Sequence, residues 1–406
     1  MRILFVTPYL PSPARFGGQR RLEGLMRSLA VQHELSVLSF NASDQFAQSS
    51  LDATRDFCKE VVTFPDMEFV DNRRKRLLQA RSLLSPHSYE HLLLARRREF
   101  LTRLQALVDS GRFDIVQVEF AQMAAFRFLQ QPSRRYRTVL DEHNIEFDIV
   151  RRTASAEVSA LRRGYSAVDW RKLRREERSA WRRFDGVSLT SERDAGVLLK
   201  LEPQTSLAVV PNGVDIGHFQ PVPESAEPNN LLFFGAMNYY PNQDGIAYFM
   251  EQVFPLVLAR RPNTKLWIVG PGAEPLYRLR GKNVEVTGFV DAVEPYLDRA
   301  TAVIVPLRLG GGTRLKIVEA MAKGKAIVST RIGAEGIDVV HDRHALLADD
   351  PRGFANEVER VLSDAALAQR LGQAARELAV ERYSWPALVA GLERFYAQLL
   401  AAPARR

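Results

Sequence analysis

The sequence predicts an α/β protein that contains two parallel-sheet domains. Short apolar runs, typical of buried strands, alternate with amphipathic helical segments along most of the 406 residues. The alternation stops at residues 221–230, a polar and Pro-rich stretch, and then starts again. Unbroken apolar strands such as residues 2–7 are typical of sheets covered by helices on both faces. We therefore predict domains at residues 1–220 and 221–385, followed by a terminal helix at residues 386–406.

The predicted elements alternate as doubly wound units require. In the first half, strands are predicted at residues 2–7, 34–40, 60–64, 113–119, 137–141, 186–190 and 207–210, and helices at 19–31, 72–108 and 151–183. In the second half, strands are predicted at residues 231–234, 265–269, 284–286, 301–305 and 326–330, and helices at 245–259 and 315–323. Residues 345–402 are predicted to form a short strand and then helices that are interrupted at 384–386.

Composition points to a cytoplasmic globular protein. The hydrophobic fraction of 46% and the charged fraction of 26% are typical of soluble domains. A single cysteine, Cys58, excludes an intramolecular disulfide and fits a reducing compartment. The first apolar run ends at Pro8, which is too early for a signal sequence or a membrane-spanning helix.

The net charge of +8 is concentrated in two predicted helical regions. Residues 73–103 contain nine Lys and Arg against two acids, and residues 151–183 contain eleven against four. Basic clusters attract polyanions such as anionic lipid headgroups. We expect no nucleic-acid partner, because no nucleic-acid-binding motif accompanies the clusters. Peripheral attachment to the inner face of an anionic membrane and a simply solvated helix face remain open as alternatives.

A candidate anion site lies between the predicted strand 301–305 and the predicted helix 315–323. The connection contains three consecutive glycines, with Thr313 as a candidate helix N-cap. The glycines are Gly310, Gly311 and Gly312. A strand, a Gly-rich turn and a helix N-terminus together favour a bound phosphate, because free N–H groups and the helix dipole point at it.

Charged residues follow the glycines directly. Arg314 and Lys316 add positive charge at the start of the helix, and Glu319 lies nearly two turns in, where a carboxylate accepts hydrogen bonds from a diol. Phosphate, positive charge and diol together indicate a nucleotide. The alternative interpretation is a tight turn followed by a Lys316–Glu319 pair on one helix face.

Candidate ligand groups also follow two strands of the first domain. Gly17 and Gly18 come after the first strand and favour close approach of a ligand to the backbone, although they form no dinucleotide-binding fingerprint. His143 and Asn144 come directly after the strand 137–141, where parallel sheets place ligand groups. A lone histidine is more often structural, so both interpretations of His143 stay open.

Several motifs together resemble the family 4 glycosyltransferases of GT-B fold, and the resemblance covers nearly the whole chain. The motifs are Gly17-Gly18, the segment Pro-Asn-Gly-Val-Asp at 211–215, and the segment Gly-Gly-Gly-Thr-Arg-Leu-Lys-Ile-Val-Glu-Ala-Met-Ala at 310–322 followed by Gly324-Lys325. The resemblance implies two Rossmann-like domains facing across a cleft, with a C-terminal helix that crosses back to the first domain. It also implies a retaining hexosyl transfer from a nucleotide-diphosphate sugar to a saccharide or lipid-linked saccharide acceptor, as in polysaccharide or glycolipid biosynthesis.

The resemblance also implies roles for individual residues. The second domain holds the donor: Glu319 matches the carboxylate that binds the ribose, and the loop that meets the base is Gly288, Phe289 and Val290. Gly17, Gly18 and Asn144 lie on the cleft and acceptor side. His143 falls where the family often has a histidine near the transferred sugar.

This chain departs from the family pattern at two places. Gly311 stands eight residues before Glu319, where the family usually has an acid that holds the donor sugar. The loop 235–244 lacks the Arg and Lys that grip the diphosphate in many members, and offers Asn238 and Asn242 instead as donor-binding residues. We therefore assign the diphosphate to Arg314 and Lys316. A subset of the family with the same Gly-Gly-Gly-Thr-Arg-Leu-Lys loop looks similar in both respects.

Such a transfer is catalysed mainly by stabilising the negative charge that develops on the departing diphosphate. Arg314, Lys316 and the glycine amides supply this stabilisation, and no Asp-x-Asp follows a strand, so we predict no essential metal and no cofactor. No motif places a carboxylate as a nucleophile, so the resemblance favours same-face attack assisted by the donor phosphate. Two other functions stay open: a non-catalytic nucleotide-sugar-binding protein and a sugar-nucleotide epimerase.

Overall fold

The structure, a computed structural model, places the chain in two α/β units. It describes residues 1–41, 46–65, 72–94, 97–124, 135–156, 160–222, 226–309 and 314–402. The first unit contains residues 1–210 and 389–406, and the second contains residues 211–388. Each unit has its own parallel sheet and its own buried apolar core.

The first unit is organised around a seven-stranded parallel sheet with the order β3-β2-β1-β4-β5-β6-β7. Its strands are β1 (Arg2–Thr7), β2 (Glu34–Asn41), β3 (Glu60–Pro65), β4 (Ile115–Glu119), β5 (Arg137–Glu142), β6 (Gly186–Leu189) and β7 (Leu207–Val209). The central strands β1, β4 and β5 are buried along nearly their whole length. The unbroken apolar run of β1 therefore has the physical cause that the sequence indicated, which is coverage of both sheet faces, whereas β4 and β5 also bury polar side chains such as Gln117 and Asp141.

The helices of the first unit differ from the predicted ones in number and in where they begin and end. They are α1 (Gly17–Ala30), α2 (Ala47–Arg55), α3 (Asn72–Leu83), α4 (Tyr89–Leu94), α5 (Arg98–Asp109), α6 (Glu146–Ala156), α7 (Ala160–Arg183) and α8 (Glu192–Leu201). The prediction of one helical region over 72–108 was wrong at residues 84–88, because Pro86 cannot continue a helix and restricts the residue before it. The predicted region 151–183 begins earlier, at Glu146, where the Glu177 carboxylate accepts hydrogen bonds from the N–H groups of Glu146 and Phe147.

The second unit repeats the architecture with a six-stranded parallel sheet of order β10-β9-β8-β11-β12-β13. Its strands are β8 (Asn230–Phe234), β9 (Lys265–Val269), β10 (Val284–Gly288), β11 (Ala302–Val305), β12 (Ala326–Ser329) and β13 (Leu346–Leu347). Its helices are α9 (Tyr240–Tyr248), α10 (Phe254–Arg260), α11 (Glu294–Arg299), α12 (Leu315–Ala322), α13 (Pro351–Ser363) and α14 (Ala365–Leu378). The predicted helix 245–259 is divided by a π-helical turn at Phe249–Val253, immediately before Pro255, which has no N–H to donate.

The boundary between the units lies ten residues before the one that the sequence predicted. Residues 211–219 belong to the second unit, because the Val214 N–H donates to the Tyr383 carbonyl at 2.8 Å and Phe219 is buried in the second core. The Pro-rich stretch at 221–230 is therefore a surface segment of the second unit. The burial of apolar side chains in the second core sets this boundary, and the polar composition of the Pro-rich stretch does not.

The last helix, α15 (Trp385–Ala401), continues from the second unit into the first. Within the first unit, the Tyr396 hydroxyl donates to the Gln117 side chain on β4, and Arg137 Nε donates to the Leu399 carbonyl at 2.9 Å. Glu393 lies 2.8 Å from His33 Nε2. The helix thus packs on the first sheet, as the resemblance implied.

Both sheets have a topological switch point, where the strand order reverses direction. It lies between β1 and β4 in the first sheet and between β8 and β11 in the second. Parallel sheets bind ligands beyond the carboxyl ends of the strands at such points. Among the described residues, no helix is both long enough and apolar enough to cross a bilayer.

Candidate active site

The first candidate region lies at the switch point of the second sheet, at the start of α12. Gly310, Gly311, Gly312 and Thr313 lie outside the described residues, so their predicted roles stay predictions. The prediction of Thr313 as the helix N-cap was wrong, because that position is taken by Arg314, whose φ of −80° and ψ of 98° are extended. The Arg314 side chain is buried at 8% exposure, which places a guanidinium beside the first turn of the helix.

The ammonium group of Lys316 contacts two neutral groups. Its Nζ donates to Asn242 Oδ1 at 2.8 Å and lies 4.3 Å from the centre of the Phe233 ring, at the end of β8. Burial of the ammonium and, to a smaller extent, repulsion by Arg314 lower the pKa of Lys316 to about 7. An anion bound here would raise that pKa again, so the site favours a negatively charged ligand.

Glu319 lies one helical turn beyond Lys316 and is buried at 4% exposure. The flanking residues Ile317, Val318 and Ala320 are fully buried in the second core, which fixes the rotation of α12 and therefore the direction of Glu319. The Lys316 ammonium hydrogen-bonds to Asn242, and Glu319 attracts it less strongly than Arg314 repels it.

The two asparagines of the loop after β8 differ in their surroundings. Asn242 is buried, donates to the Ala236 carbonyl at 2.7 Å and accepts from Lys316, so it fixes the lysine to the loop. Asn238 is exposed beside Gly272. Of the two, only Asn238 has a side chain directed to solvent.

Glycines bring the ends of three neighbouring strands close together. Gly235 and Gly270 have φ values of +139° and +140°, and a Cβ atom on Gly270 would lie 2.0 Å from the Gly235 carbonyl oxygen. A Cβ on Gly235 would lie 3.1 Å from Lys316 Nζ. Gly288, with φ of +80°, ends β10, and Phe289 after it is 70% exposed, while Val290 is partly buried. The edge therefore presents backbone, the Lys316 ammonium and the exposed ring of Phe289.

The second candidate region lies at the carboxyl ends of β4 and β5 in the first unit, around a buried ion pair. Arg21 on α1 makes a bidentate contact with Asp141, with Nε–Oδ2 and Nη2–Oδ1 distances of 3.0 and 2.9 Å, and both side chains are 1% exposed. Arg21 Nη1 also donates to the Val210 carbonyl at 2.8 Å. Burial raises the pKa of Asp141, but Arg21 and His143 together outweigh it, so this pKa lies well below its usual range.

His143 is held by this pair and by Glu119. Its Nε2 lies 2.9 Å from Glu119 Oε2 and 3.3 Å from Asp141 Oδ2. Burial opposes protonation of His143, but the hydrogen bonds to Asp141 and Glu119 outweigh it and raise its pKa. Burial, together with the charge of Asp141, raises the pKa of Glu119 to about 7. His143 and Glu119 are therefore a hydrogen-bonded pair in which both groups have a raised pKa.

Phe120 covers His143 from an unusual backbone conformation. Its φ is +69°, in the left-handed region that bulky residues avoid, and its ring centre lies 3.7 Å from that of His143. Such conformations persist where the surrounding structure enforces them, often at functional sites. Phe120 also contacts Tyr9, whose hydroxyl lies where a Cβ atom on Gly18 would come within 2.1 Å.

The other predicted residues of the first unit are placed as follows. Gly17 and Gly18 form the first turn of α1 and not a loop before it, because the helix starts two residues earlier than predicted. A Cβ atom on Gly18 would displace the Tyr9 hydroxyl, so Gly18 also has a packing role, whatever its role toward a ligand. Asn144 is partly buried beside His143.

Glu119, Asp141 and His143 have donor atoms close enough together to hold a metal ion. The donor set does not fit one well, because Arg21 already supplies the positive charge that Asp141 needs and occupies both of its oxygens. We therefore treat this cluster as a proton-holding network that orients His143.

Arg21, Glu119, Phe120 and Asp141 are site residues that the sequence did not single out. Two of them carried a usable signal. Glu119 and Asp141 end two strands that are neighbours in the sheet, and acids at such positions face a common ligand edge. Arg21 lies on the buried side of α1, directly before Leu22, but its position alone does not reveal its partner.

Two known sequence families match the chain. Residues 17–218 match the family described as Glycosyltransferase Family 4, and residues 228–364 match the family described as Glycosyl transferases group 1. These two matches fall on the first and second units and leave only short segments uncovered.

Curated relatives match parts of the chain. Glycogen synthase of Mycobacterium tuberculosis is 26% identical over 204 residues, which are 47% of this chain and 48% of that protein. An uncharacterized 44.6 kDa protein of the cps region of Klebsiella pneumoniae is 27% identical over 139 residues, 32% of this chain and 36% of that protein. The matched stretches span less than half of each relative's own length.

Solved structures match the whole fold at low sequence identity. Sucrose-phosphate synthase from Thermosynechococcus elongatus superimposes with a TM-score of 0.71 at 17% identity, covering 99% of both chains. Anabaena HepE in complex with UDP-glucose gives 0.66 at 15% identity, covering 98% of this chain and 100% of that one. The two parallel-sheet units therefore have the GT-B fold that the resemblance implied.

Proposed function

We propose that this chain, which is a glycosyltransferase of the family 4 type, moves a hexosyl group from a nucleoside-diphosphate sugar to a saccharide or lipid-linked saccharide acceptor. The observation that carries the proposal is Lys316. Its ammonium contacts an amide oxygen and an aromatic ring, and its pKa is lowered to about 7. An anionic ligand would therefore stabilise the charged form of this side chain. HepE has the same fold and was solved in complex with UDP-glucose, which supports a nucleotide sugar as the ligand of this site.

The second unit holds the donor in this proposal. Lys316 and Arg314 bind the diphosphate, together with the amides of residues 310–313, which lie outside the described residues. Glu319 accepts hydrogen bonds from the ribose hydroxyls. The exposed ring of Phe289, with the backbone of Gly288 and Val290, meets the base, and Asn238 lies at the rim.

Charge stabilisation on the departing diphosphate supplies the catalytic step. As the glycosidic bond breaks, negative charge builds up on the diphosphate, and fixed cations beside it lower the barrier. Asn242 acts as a positioning residue because it holds the Lys316 ammonium at 2.8 Å. The proposal needs no divalent ion at the diphosphate, so we expect equal turnover with added Mg²⁺ and with EDTA.

The first unit holds the acceptor and contacts the transferred sugar. His143 is oriented by Glu119 and Asp141, and Phe120 covers one face of its ring. Asn144 and the Gly17–Gly18 turn lie at the same strand ends. Retention of configuration is part of the proposal through the family resemblance, with attack on the same face as the departing diphosphate.

A donor panel tests this function. We would incubate the full chain with uridine-, guanosine- and adenosine-diphosphate sugars, with and without saccharide acceptors, and measure nucleotide release and the products. Acceptor-dependent release with an α-configured product from an α-configured donor is expected. Tight donor binding without release would show a non-catalytic binding protein, and conversion of one donor into another without acceptor would show an epimerase.

The basic helices of the first unit lead us to propose peripheral attachment to an anionic membrane, at the inner face in a cytoplasmic protein. Leu77 and Leu84 are 68% and 94% exposed near exposed Arg76 and Arg81, so apolar and basic groups share one surface. Each basic residue near such a membrane contributes about 1 kcal/mol of binding free energy.

Vesicle co-sedimentation tests the attachment. We expect the chain to bind vesicles that contain phosphatidylglycerol, less so at high salt, and to be released from them by Leu77→Ser with Leu84→Ser. Binding that does not depend on lipid charge would contradict this part of the proposal without affecting the donor site.

A further inference from the structure

Two histidines and a glutamate form a second group of potential metal ligands, far in sequence from the sites described above. The group contains His87, just before α4, His91 on α4 and Glu176 on α7. Each side chain is partly buried, with 36%, 27% and 18% of its surface exposed. One donor atom from each residue lies within 4.8 Å of the others.

The distances in this group fit metal coordination better than hydrogen bonding. Glu176 Oε1 lies 3.3 Å from His87 Nδ1 and 3.8 Å from His91 Nδ1. The first contact is a long hydrogen bond, because N–H···O bonds are usually about 2.9 Å, and the second is too long to be one. Ligands of a tetrahedral ion with bonds of about 2.0–2.1 Å lie about 3.3–3.4 Å apart. The glutamate oxygen and the imidazole nitrogens are thus separated nearly as two ligands of one ion are.

The two imidazole rings already lie side by side. Their centres are 4.1 Å apart and their planes differ by 5°. Metal binding to both Nδ1 atoms requires the rings to tilt toward each other, and the terminal torsion of histidine is broad enough to allow it.

The surrounding contacts hold the ligands in place without a metal. The Ser88 N–H donates to Glu176 Oε1 at 3.0 Å, which orients the carboxylate. Arg175 donates to the Pro86 carbonyl and Lys172 donates to the Ser82 carbonyl. Two side chains of α7 therefore hydrogen-bond to the segment just before the histidine pair. The ligand frame is therefore built by the fold.

We propose that His87, His91 and Glu176 bind a borderline divalent transition-metal ion such as Zn²⁺, which links the segment before and within α4 to α7. Two imidazoles and one carboxylate suit Zn²⁺ or Co²⁺ and not Mg²⁺ or Ca²⁺, which prefer oxygen ligands alone. Three protein ligands leave a fourth position for water. The link is structural and takes no part in the proposed sugar transfer.

Titration of the metal-stripped full chain with Co²⁺ and Zn²⁺ tests this site. We expect one equivalent of Co²⁺ to give the visible absorption of a tetrahedral complex, Zn²⁺ to displace it, and either ion to raise the melting temperature. His91→Ala and Glu176→Gln should each weaken binding more than about tenfold. The glutamine keeps an oxygen that accepts from the Ser88 N–H, so this variant should fold normally, which melting without metal checks.

Two further variants make the test specific. His33→Ala is the matched control, because His33 is a partly buried histidine beside a single glutamate, and it should bind metal as the parent does. His143→Ala reports on the other cluster of ligands. No binding by the parent chain, unchanged binding in His91→Ala, or loss of binding in His143→Ala alone would each overturn the proposal.

Discussion

The two candidate sites of this chain handle buried charge in opposite ways. In the first unit, Arg21 and Asp141 compensate each other through two hydrogen bonds, and His143 pairs with Glu119. In the second unit, the Lys316 ammonium is held by an amide and a ring, neither of which carries charge. The first site is balanced in the free protein, whereas in the second the attraction of Lys316 by Glu319 is outweighed by burial and by repulsion from Arg314.

The difference indicates what each site is for. A balanced network keeps its geometry with or without a ligand, which suits a histidine that must be presented in one orientation. A cation with a lowered pKa gains most when an anion arrives, which suits a site that must favour a diphosphate and the charge that grows on it. The largest effects on stability should therefore come from the first site, and the largest effects on turnover from the second.

The largest expected effect is on stability, from Asp141→Asn. The substitution keeps the shape of the side chain but leaves Arg21 buried without its counter-charge, which costs about 3–5 kcal/mol in the free energy of unfolding. Urea unfolding of the first unit measures it. The control is Glu34→Gln, which breaks the exposed Glu34–Lys59 pair and should cost less than about 1 kcal/mol. Equal losses in the two variants would show that the Arg21–Asp141 pair is not the balanced charge that we describe.

The next effect is on turnover, from Lys316→Ala and Arg314→Ala. Loss of one fixed cation beside the leaving group should lower kcat/KM by about 10²–10³-fold. Steady-state nucleotide release measures this, with Arg260→Ala as a control, because Arg260 is a surface cation of the same unit paired with Glu359. A near-normal rate for Arg314→Ala would mean that the diphosphate is bound elsewhere.

Glu319→Ala should act on donor binding more than on the rate of the chemical step. Loss of a charged hydrogen bond to the ribose costs about 1.5–3 kcal/mol, or roughly 10–150-fold in donor affinity. A comparison of ribonucleotide and 2′-deoxyribonucleotide donors sharpens the test. The parent should discriminate between them and Glu319→Ala should not; a variant that still discriminates would contradict the ribose contact.

The smallest effect is a pH dependence of donor affinity that belongs to the second site alone. With its pKa lowered to about 7 in the free protein, Lys316 is charged below pH 7 and must take up a proton to bind the diphosphate above it. Affinity should therefore be steady below pH 7 and fall by at most about tenfold per unit between pH 7 and 9. Calorimetric titration measures this, and the weaker binding of Lys316→Met should be flat over the same range. A parallel decline in both proteins would assign the effect to another group.

The fold could be predicted because its signals are local. Continuous apolar runs marked β1, β8 and β11, since strands covered on both faces are mostly apolar. Helix ends were harder to predict, because they depend on capping partners far away, such as Glu177 for the start of α6. The unit boundary was misplaced because burial of Phe219 in the second core is a tertiary fact with no local signature.

The candidate sites divide in the same way. Lys316, Glu319 and His143 were predictable because each follows a strand end, where topology places ligand groups. The Arg21–Asp141 pair joins residues 120 positions apart, and a single sequence does not show which acid an arginine will meet. Phe120 was missed because its importance lies in a backbone angle, which its residue type does not reveal.

The central claim is that the second site binds a diphosphate through Lys316, and the most direct test of it is calorimetric. Uridine, guanosine and adenosine diphosphates would each be titrated into the full chain beside their parent nucleosides, in two buffers of different ionisation enthalpy at pH 7.5. We predict that the preferred diphosphate binds at least about tenfold tighter than its nucleoside and that its binding is accompanied by proton uptake. Lys316→Met should lose both the tighter binding of the diphosphate and the proton uptake. Equal binding of nucleoside and diphosphate, or proton uptake that persists in Lys316→Met, would contradict the account.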